Sequence, residues 1–220
     1  MPLTDYFRIL WRRGWILLLM AILTAAAAFV FSRLQTPVYK ATVSVLVKPS
    51  RTDFGLTQSA KILLRSYVAW MDTDKRAHDV IEALQIDKEP GSLRGDVTIA
   101  SDDSRFVIQV DAESENQQLA GDVAQKWAEL FVQWRDADNQ TQRKEDRVEA
   151  EILDAPRLSL DRPKTTINTL AGAILGILLG GVIVFVIEYI ESSVIRSAAD
   201  IERQFSLPVL GAIPVADRKK

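Results

Sequence analysis

Few residues of this chain have the type and spacing that catalysis requires. His78 is the only histidine, and it lies in a polar stretch with no nucleophile at a recognisable spacing. The carboxylate pairs Asp72/Asp74 and Asp102/Asp103 occur in turn-like segments, but neither has the spacing of a calcium loop. Turn and cap roles explain them more simply than weak calcium binding does. We therefore expect no catalytic residue and no enzyme.

No cofactor or metal site is predicted either. Residues 91–95 read GSLRG and lack the Gly-Lys-Ser/Thr ending of a phosphate-binding loop. The chain has no cysteine, which excludes disulfides, thiol nucleophiles and cysteine-based zinc sites. An enzyme such as a glycan ligase or transferase is the least favoured alternative, and an activity lost on mutating Asp102 or Asp103 would revive it.

The apolar residues are concentrated in two blocks. The chain has 220 residues, 48% of them hydrophobic and 25% charged, with a mean hydropathy of +0.04. No charge lies between Arg13 and Arg33, or between Lys164 and Glu188. A helix needs about 20 apolar residues to cross a bilayer. This pattern excludes a simple soluble enzyme, a disordered chain and a disulfide-rich module. At a net charge of −2, with no strongly basic segment, no nucleic-acid partner is expected.

The first block predicts a transmembrane helix over residues 15–32, preceded by a cytoplasmic N-terminus of residues 1–14. Arg12 and Arg13 come directly before it, and positive charge beside a first span is retained in the cytoplasm. A cleaved signal peptide is the alternative, because Ala25 to Ala28 offers small residues to a peptidase. The apolar block continues beyond these alanines, which favours a retained helix.

The second block predicts a transmembrane helix over residues 167–190, followed by a cytoplasmic tail of residues 191–220. Glycines spaced four apart leave bare backbone along one face, where another helix can approach closely. Small residues of the first span form a comparable stripe. The predicted packing residues, within or between protomers, are Gly172, Gly176, Gly180, Ala21, Ala25 and Ala28. Frequent glycine in membrane helices generally is the simpler alternative.

Residues 33–166 between the spans predict a small extracytoplasmic α/β domain with one long helix. The whole chain is thus expected to be an α+β membrane protein with two transmembrane helices. Alternating apolar residues predict strands at 38–47, 97–99, 106–110 and 148–153. Apolar residues at helical spacing predict a helix from about residue 58, another over 74–85 and a long one over 116–139.

The connections of this domain carry their own signals. Asp72 or Thr73 suits the N-cap of the second helix. The segments 49–55 and 101–104 are turn-like in composition. Pro156 and Pro163 are expected to end the domain and to stiffen the re-entry of the chain into the membrane.

Several segments together resemble one family. The start LTDYFRILWRRGWILLL, the strand VYKATVSVLVKP, Ala155-Pro156, Arg162-Pro163-Lys164 and the glycine-bearing second span resemble bacterial polysaccharide co-polymerases, the Wzz-type chain-length determinant family. The tail IRSAADIERQFSLPVLGAIP, residues 195–214, is similar to the subgroup associated with bacterial tyrosine kinases. The resemblance covers nearly the whole chain and is loosest over residues 51–147. The outer domain is shorter than in tall family members.

The resemblance implies a non-enzymatic membrane scaffold without a cofactor. Such a protein would regulate polymerisation, chain length or export of a surface or exopolysaccharide as a ring-like homo-oligomer. It would lie in the bacterial cytoplasmic (inner) membrane as a multi-pass protein with both termini cytoplasmic. Implied partners are membrane lipid, a polysaccharide polymerase or nascent glycan, and a tyrosine kinase. The alternative is an envelope-sensing activator subunit of that kinase.

The sequence contains no ATP site, so the kinase is expected to be a separate cytoplasmic polypeptide. The resemblance assigns kinase docking to the tail. The tail residues expected to carry it are Asp200, Glu202, Pro208, Gly211 and Pro214.

Overall fold

The computed structural model describes residues 3–50 and 54–192, with side chains described over residues 12–50 and 62–191. The chain forms two compact units, one of residues 33–165 and one of the terminal segments. The elements of the described residues are α1 (Leu3–Leu34), β1 (Val38–Pro49), α2 (Phe54–Met71), α3 (Asp74–Leu84), α4 (Pro90–Gly95), β2 (Val97–Asp102), β3 (Val107–Ser114), α5 (Gln117–Thr141), β4 (Val148–Ile152), β5 (Arg157–Arg162) and α6 (Thr165–Ser192). The expected mixture of helices and strands is confirmed.

The central unit is built on an antiparallel sheet in which β1 is the longest strand. The order is β2-β3-β1, and β4 and β5 follow one another along the far side of β1. The second half of β1 pairs with β4, whereas its first half pairs with β5. The pairing begins with Val38 opposite Arg162, so the first and last residues of the sheet are neighbours.

One face of this sheet is buried under helices. On β1 the odd-numbered residues from Ala41 to Val47 are at most 2% exposed, and their β3 partners Ile108 and Val110 are also buried. The long helix α5 contributes Trp127 and Phe131 to the same core, and α2 contributes Leu64 and Met71. The alternation follows from the pleat of a strand, which sends successive side chains to opposite faces.

Two helices begin where a side chain satisfies the free backbone N–H groups. Asn116 Oδ1 accepts from the backbone N of Gln118 at 2.9 Å, which caps α5. Thr73, one of the two expected candidates, caps α3 by accepting from Arg76 N at 3.4 Å. Such caps contribute about 1 kcal/mol each.

The structure differs from the sequence-based expectation at several places. The turn expected over residues 101–104 begins later, because β2 runs to Asp102, and Phe106, expected in the next strand, precedes β3. The expected turn over residues 49–55 is wrong at both ends, because Pro49 ends β1 and Phe54 begins α2. The short helix α4 was not expected; it starts at Pro90, whose missing N–H is harmless in a first turn. The strand β5 was not expected either. Pro156 and Pro163 stand just outside it, where proline bounds a strand without interrupting its ladder.

The unit of the terminal segments consists of α1 and α6 over its described residues. By length and composition alone, two stretches of helix could cross a membrane, Arg12–Leu34 with 23 residues and Thr165–Glu191 with 27. Most of their large apolar side chains are exposed, including Leu18, Leu170 and Leu178 at 61–64%. Both helices therefore need an apolar surrounding or a partner for most of their circumference.

Candidate functional site

The glycines of α6 lie directly against the backbone of α1. A Cβ placed on Gly172 would lie 2.7 Å from Ala28 Cβ and 2.9 Å from Thr24 O. One on Gly176 would lie 2.5 Å from Met20 O and 2.7 Å from Ala21 Cα. All four distances are shorter than a carbon atom tolerates, so only glycine permits this separation of the helices.

Gly180 and Gly181 differ although they are neighbours in α6. A Cβ on Gly180 would lie 3.0 Å from Leu17 Cα, whereas one on Gly181 would meet nothing within 4 Å. The close approach thus belongs to one face of α6, with the i, i+4, i+8 spacing of Gly172, Gly176 and Gly180. Gly181 points away from this face and provides a matched control.

Hydrogen bonds between polar groups also join α1 and α6. Thr24 Oγ1 donates to Gly172 O at 2.8 Å, besides contacts to carbonyls of its own helix. Asn168 Nδ2 donates to Ser32 Oγ at 3.2 Å, and Ser32 is completely buried. Hydrogen bonds between membrane helices contribute about 0.6 kcal/mol each on average, so they add to close packing without replacing it.

An ion pair joins the opposite end of the helix pair. Arg13 Nη2 lies 2.5 Å from Glu191 Oε2 and 3.5 Å from Glu188 Oε2. Because Arg13 comes early in α1 and Glu191 late in α6, while Ser32 meets Asn168 at the other end, the helices are antiparallel. The C-terminal end of α1 and the N-terminal end of α6 therefore lie on the same side of the pair.

The small residues expected on α1 contribute to two neighbouring surfaces, and Ala21 belongs to both. Ala21 and Ala28 lie at the glycine face of α6. Ala25 instead lines a neighbouring apolar groove of about 610 Å³, together with Gly14, Ala21 and Ala173. The sequence pattern did not predict a packing role for Thr24. A hydroxyl within an otherwise apolar block was the one feature that could have indicated it.

The two prolines expected at the membrane re-entry flank β5. Pro156 lies beside α5, with its Cβ 3.9 Å from the position that a Cβ on Gly121 would take. The peptide bond between Arg162 and Pro163 is cis, and Pro163 O accepts from Thr165 N at 3.0 Å. Both prolines thus bound the last strand of the sheet.

The tail residues Asp200, Glu202, Pro208, Gly211 and Pro214 lie outside the described residues.

The candidate catalytic groups have structural roles or none. His78 is exposed on α3. Asp72 and Asp74 both accept from Arg94, at 2.7 and 3.4 Å. Over the residues that the structure describes, no three histidine or acidic side chains are grouped as metal ligands.

The second carboxylate pair also serves the fold. Asp102 accepts from Ser104 Oγ at 2.5 Å, from Arg105 Nε at 2.6 Å and from Ser104 N at 3.0 Å. These hydrogen bonds, chiefly the one from the Ser104 hydroxyl, hold the pKa of Asp102 below its usual range. Asp103 pairs with Arg65 at 3.2 Å. Both carboxylates thus have partners within the β2–β3 turn or on the adjacent helix.

The face of the sheet opposite the core holds a nearly buried carboxylate. Asp111 is 9% exposed and accepts from Lys40 Nζ at 2.8 Å, Thr42 Oγ1 at 2.6 Å and Gln109 Nε2 at 2.9 Å. Burial alone would raise the pKa of Asp111, but these three donors outweigh it and the pKa is lowered. The hydrogen bond to Asp111 in turn raises the pKa of Lys40. Sequence reasoning missed this cluster because its members come from two distant strands.

The junction between α5 and β4 is held by a second buried group. Arg135 is 3% exposed and donates to Val148 O and, at 3.1 Å, to Asn139 Oδ1. Asn139 Nδ2 donates to Val148 O at 2.8 Å, and its Oδ1 accepts from Val148 N at 3.1 Å. The side chain of Asn139 thus completes the backbone hydrogen bonding at the start of β4, which fixes the strand against the helix.

Comparison with known proteins supports the resemblance to one family. Residues 1–88 match the family model described as Wzz, chain length determinant protein. The Wzz-type resemblance is confirmed. The chain is 24% identical to the capsular polysaccharide biosynthesis protein CpsC of Streptococcus pneumoniae, over 98% of the chain and 95% of that protein. It is 23% identical to the probable capsular polysaccharide biosynthesis protein YwqC of Bacillus subtilis strain 168, over 93% of the chain and 84% of that protein.

These matches support a role for this chain in the chain length or export of a polysaccharide. Wzz-type chain length determinants are regulators rather than enzymes. Proteins of this family are anchored in the inner membrane. A helix pair with a mostly apolar exterior is the feature of this structure that suits such an anchor.

Proposed function

We propose that this chain is a non-enzymatic membrane scaffold that regulates the polymerisation, chain length or export of a surface polysaccharide. It acts as a ring-like homo-oligomer with a separate cytoplasmic tyrosine kinase. The observation that carries the proposal is the antiparallel, glycine-packed pair of apolar helices that brackets a folded domain in a Wzz-type chain.

The proposed topology follows from these helices. Residues 15–32 and 167–190 span the inner membrane, and residues 33–166 form the extracytoplasmic domain. Residues 1–14 and the tail 191–220 are cytoplasmic, on the side where Arg12 and Arg13 precede the first span. The Arg13–Glu191 ion pair supports this arrangement, because charged groups near helix ends can reach the polar interface of a bilayer.

Assembly into a ring uses surfaces that the helix pair leaves open. The face with Gly172, Gly176 and Gly180 packs within one chain, so a neighbouring protomer needs another face. The groove lined by Ala25 and Ala173 is apolar and bounded by small residues, which suits a further helix. The extracytoplasmic domain makes lateral contacts and meets the polymerase or nascent glycan. The tail, with Pro208, Gly211 and Pro214, docks the kinase.

The decisive experiment has two parts. Native mass spectrometry of the full chain in nanodiscs should give a closed oligomer of several copies, and a monomer at native-like concentration would overturn the ring. Deleting the gene in a strain with constant kinase activity should shift the polymer length distribution, and the unaltered chain should restore it. An unchanged distribution would overturn the regulatory role.

A second candidate function is an envelope-sensing activator of the kinase. It is favoured by the ion pair between Arg13 and the end of α6, immediately before the tail. A shift within the helix pair would reach the tail through that connection. Arg13→Gln should then change kinase autophosphorylation in nanodiscs while polymer length stays constant. The reverse pattern would favour the scaffold alone.

A further inference from the structure

The central unit contains a polar cavity at the free side of β4. Its volume is about 400 Å³, and it lies between the last turns of α5, the segment before β4, and the adjacent parts of β1 and β4. Small-molecule sites usually have volumes of about 300–1,000 Å³, so this cavity has room for one small ligand.

Five charged residues line the cavity, and all of them except Arg147 are exposed to solvent. They are Lys48, Asp136, Arg147, Glu149 and Glu151. Within the described part of the chain, none of them has an ion-pair partner within 4.0 Å. Lys48 and Glu149 are opposite each other in the β1–β4 register, where opposite charges usually pair.

Arg147 adds a second observation. Its Nε is enclosed by protein, yet it donates to no acceptor in the described residues. The backbone of the same residue is fixed, because Arg147 O accepts from Ser50 N at 3.0 Å and from Ser50 Oγ at 2.7 Å. An enclosed donor without an acceptor is unfavourable, and a ligand oxygen in the cavity would relieve it.

The wall of the cavity is already ordered. Asn139, which also lines it, has both ends of its amide bound to Val148, and Arg135 is locked behind it. A ligand entering this space therefore does not have to order the α5–β4 junction, and less of the binding free energy is lost.

The chemistry of the lining selects a ligand class. Three carboxylates face two cations, which disfavours an anionic ligand, and the dominance of polar atoms disfavours an apolar one. Sugar hydroxyls both donate to carboxylates and accept from Arg147 and Lys48, and such charge-assisted hydrogen bonds are stronger than neutral ones. We infer that this cavity binds one neutral hexose residue of the nascent polysaccharide. The inference rests on the proposed function for the source of that sugar.

The test measures binding of methyl β-D-glucopyranoside to the full chain in nanodiscs by saturation-transfer difference NMR. Among the described residues no aromatic ring lines the cavity, so we expect a dissociation constant of about 1–10 mM. Arg147→Ala and Glu151→Gln should each weaken binding at least about tenfold. The matched controls Lys75→Gln and Glu82→Gln, on α3 and outside the cavity, should leave it unchanged.

Each result decides a separate question. No saturable binding, equal binding by the cavity variants, or tighter binding of methyl β-D-glucuronide would overturn the inference. Circular dichroism spectra of both cavity variants should match that of the unaltered chain, so that weaker binding reports loss of the site and not misfolding. If the unaltered chain restores polymer length in the deletion strain but binds no glucoside, the proposed function stands and this site fails. Binding without any length effect would overturn the proposed function and, with it, the assignment to the nascent polymer.

Discussion

Two helix–helix contacts in this molecule use opposite kinds of residue. Where α2 meets α5, four aromatic rings pack together. Trp70 is stacked on Trp134 with ring centroids 4.2 Å apart, and the ring centroids of Tyr67 and Phe131 are 5.6 Å apart. Where α1 meets α6, the contact consists of glycines, small side chains and two hydrogen bonds. One contact uses the largest side chains available, and the other the smallest.

With α1 and α6 in a membrane, as proposed above, the two contacts form in different surroundings. In water, burying large apolar side chains is itself favourable, so aromatic rings stabilise α2 against α5. In lipid, an apolar side chain gains little by leaving one apolar surrounding for another, and close backbone approach with hydrogen bonding must suffice. The two contacts should therefore fail under different substitutions.

The largest effect is expected from the aromatic contact. Phe131 is completely buried, and Phe131→Ala removes its packing and leaves a cavity. We expect the free energy of unfolding of the central unit to fall by about 3–5 kcal/mol. Urea unfolding of the full chain followed by near-UV circular dichroism measures this. Ile62→Ala, at a position 64% exposed on α2, should change it by less than about 0.5 kcal/mol.

The carboxylate of Asp111 is the next most sensitive feature. Asp111→Asn removes a charge that accepts from Lys40, Thr42 and Gln109, and should cost about 1.5–3 kcal/mol at neutral pH. The same unfolding assay measures it. Asp136→Asn, exposed and unpaired among the described residues, is the control.

The effect of Asp111 has a defined pH window. Its lowered pKa means that its stabilisation is present above the unfolded value, about 3.9, and is lost as the pH falls through the lower folded value. The raised pKa of Lys40 means that its stabilisation is present below about 10.5 and is lost as the pH rises through the folded value. The difference between the unaltered chain and Asp111→Asn should therefore be largest between these limits. A difference independent of pH would contradict the electrostatic explanation.

A substitution in the glycine face should separate the helices without disturbing the central unit. Gly176→Ala forces α1 and α6 apart, at a cost of about 1–3 kcal/mol. Because the chain lacks cysteine, disulfide formation between Ser32→Cys and Asn168→Cys reports the helix contact directly. Gly176→Ala should slow cross-linking, whereas Gly181→Ala, whose added carbon meets nothing, should leave it unchanged. Equal rates in both variants would refute the glycine contact.

The smallest effect is expected from a single hydroxyl. Thr24→Val keeps the shape of the side chain but removes the hydrogen bond to Gly172 O, at a cost of about 0.6 kcal/mol. The cross-linking assay should show a slight loss. Thr73→Ala removes a hydroxyl cap in the central unit and should cost about 1 kcal/mol in urea unfolding. An equal loss of cross-linking for Thr24→Val and Gly176→Ala would contradict the small contribution assigned to this hydrogen bond.

Sequence periodicity predicted the elements whose residues face a uniform surrounding. The strand β1 and the helix α5 were predictable because their buried residues recur at periods of two and of three to four. The glycine spacing of α6 indicated a packing face, but not that Thr24 would complete it. The strand β5 was missed because its two flanking prolines suggested an end to regular structure.

Features assembled from distant segments could not be predicted in this way. Asp111 reads as an ordinary strand residue until Lys40 and Thr42 lie beside it, 71 and 69 positions away in the chain. The polar cavity likewise combines residues of β1, α5 and β4. Such groupings depend on which strands pair, and the residue pattern within one strand does not specify a partner strand far away in the chain.

The pairing of Val38 with Arg162 has a mechanical consequence. The chain enters and leaves the sheet at neighbouring positions on antiparallel strands, so tension applied at these two points opens the β1–β5 ladder one residue pair at a time. It does not load all the hydrogen bonds together, as shear along the strands would. Because β4 continues the pairing along β1, an opened β5 keeps a template and can close again in the same register. The β1–β5 pairing, where force enters, can thus open and close again, while the β1–β4 pairing beyond it stays formed.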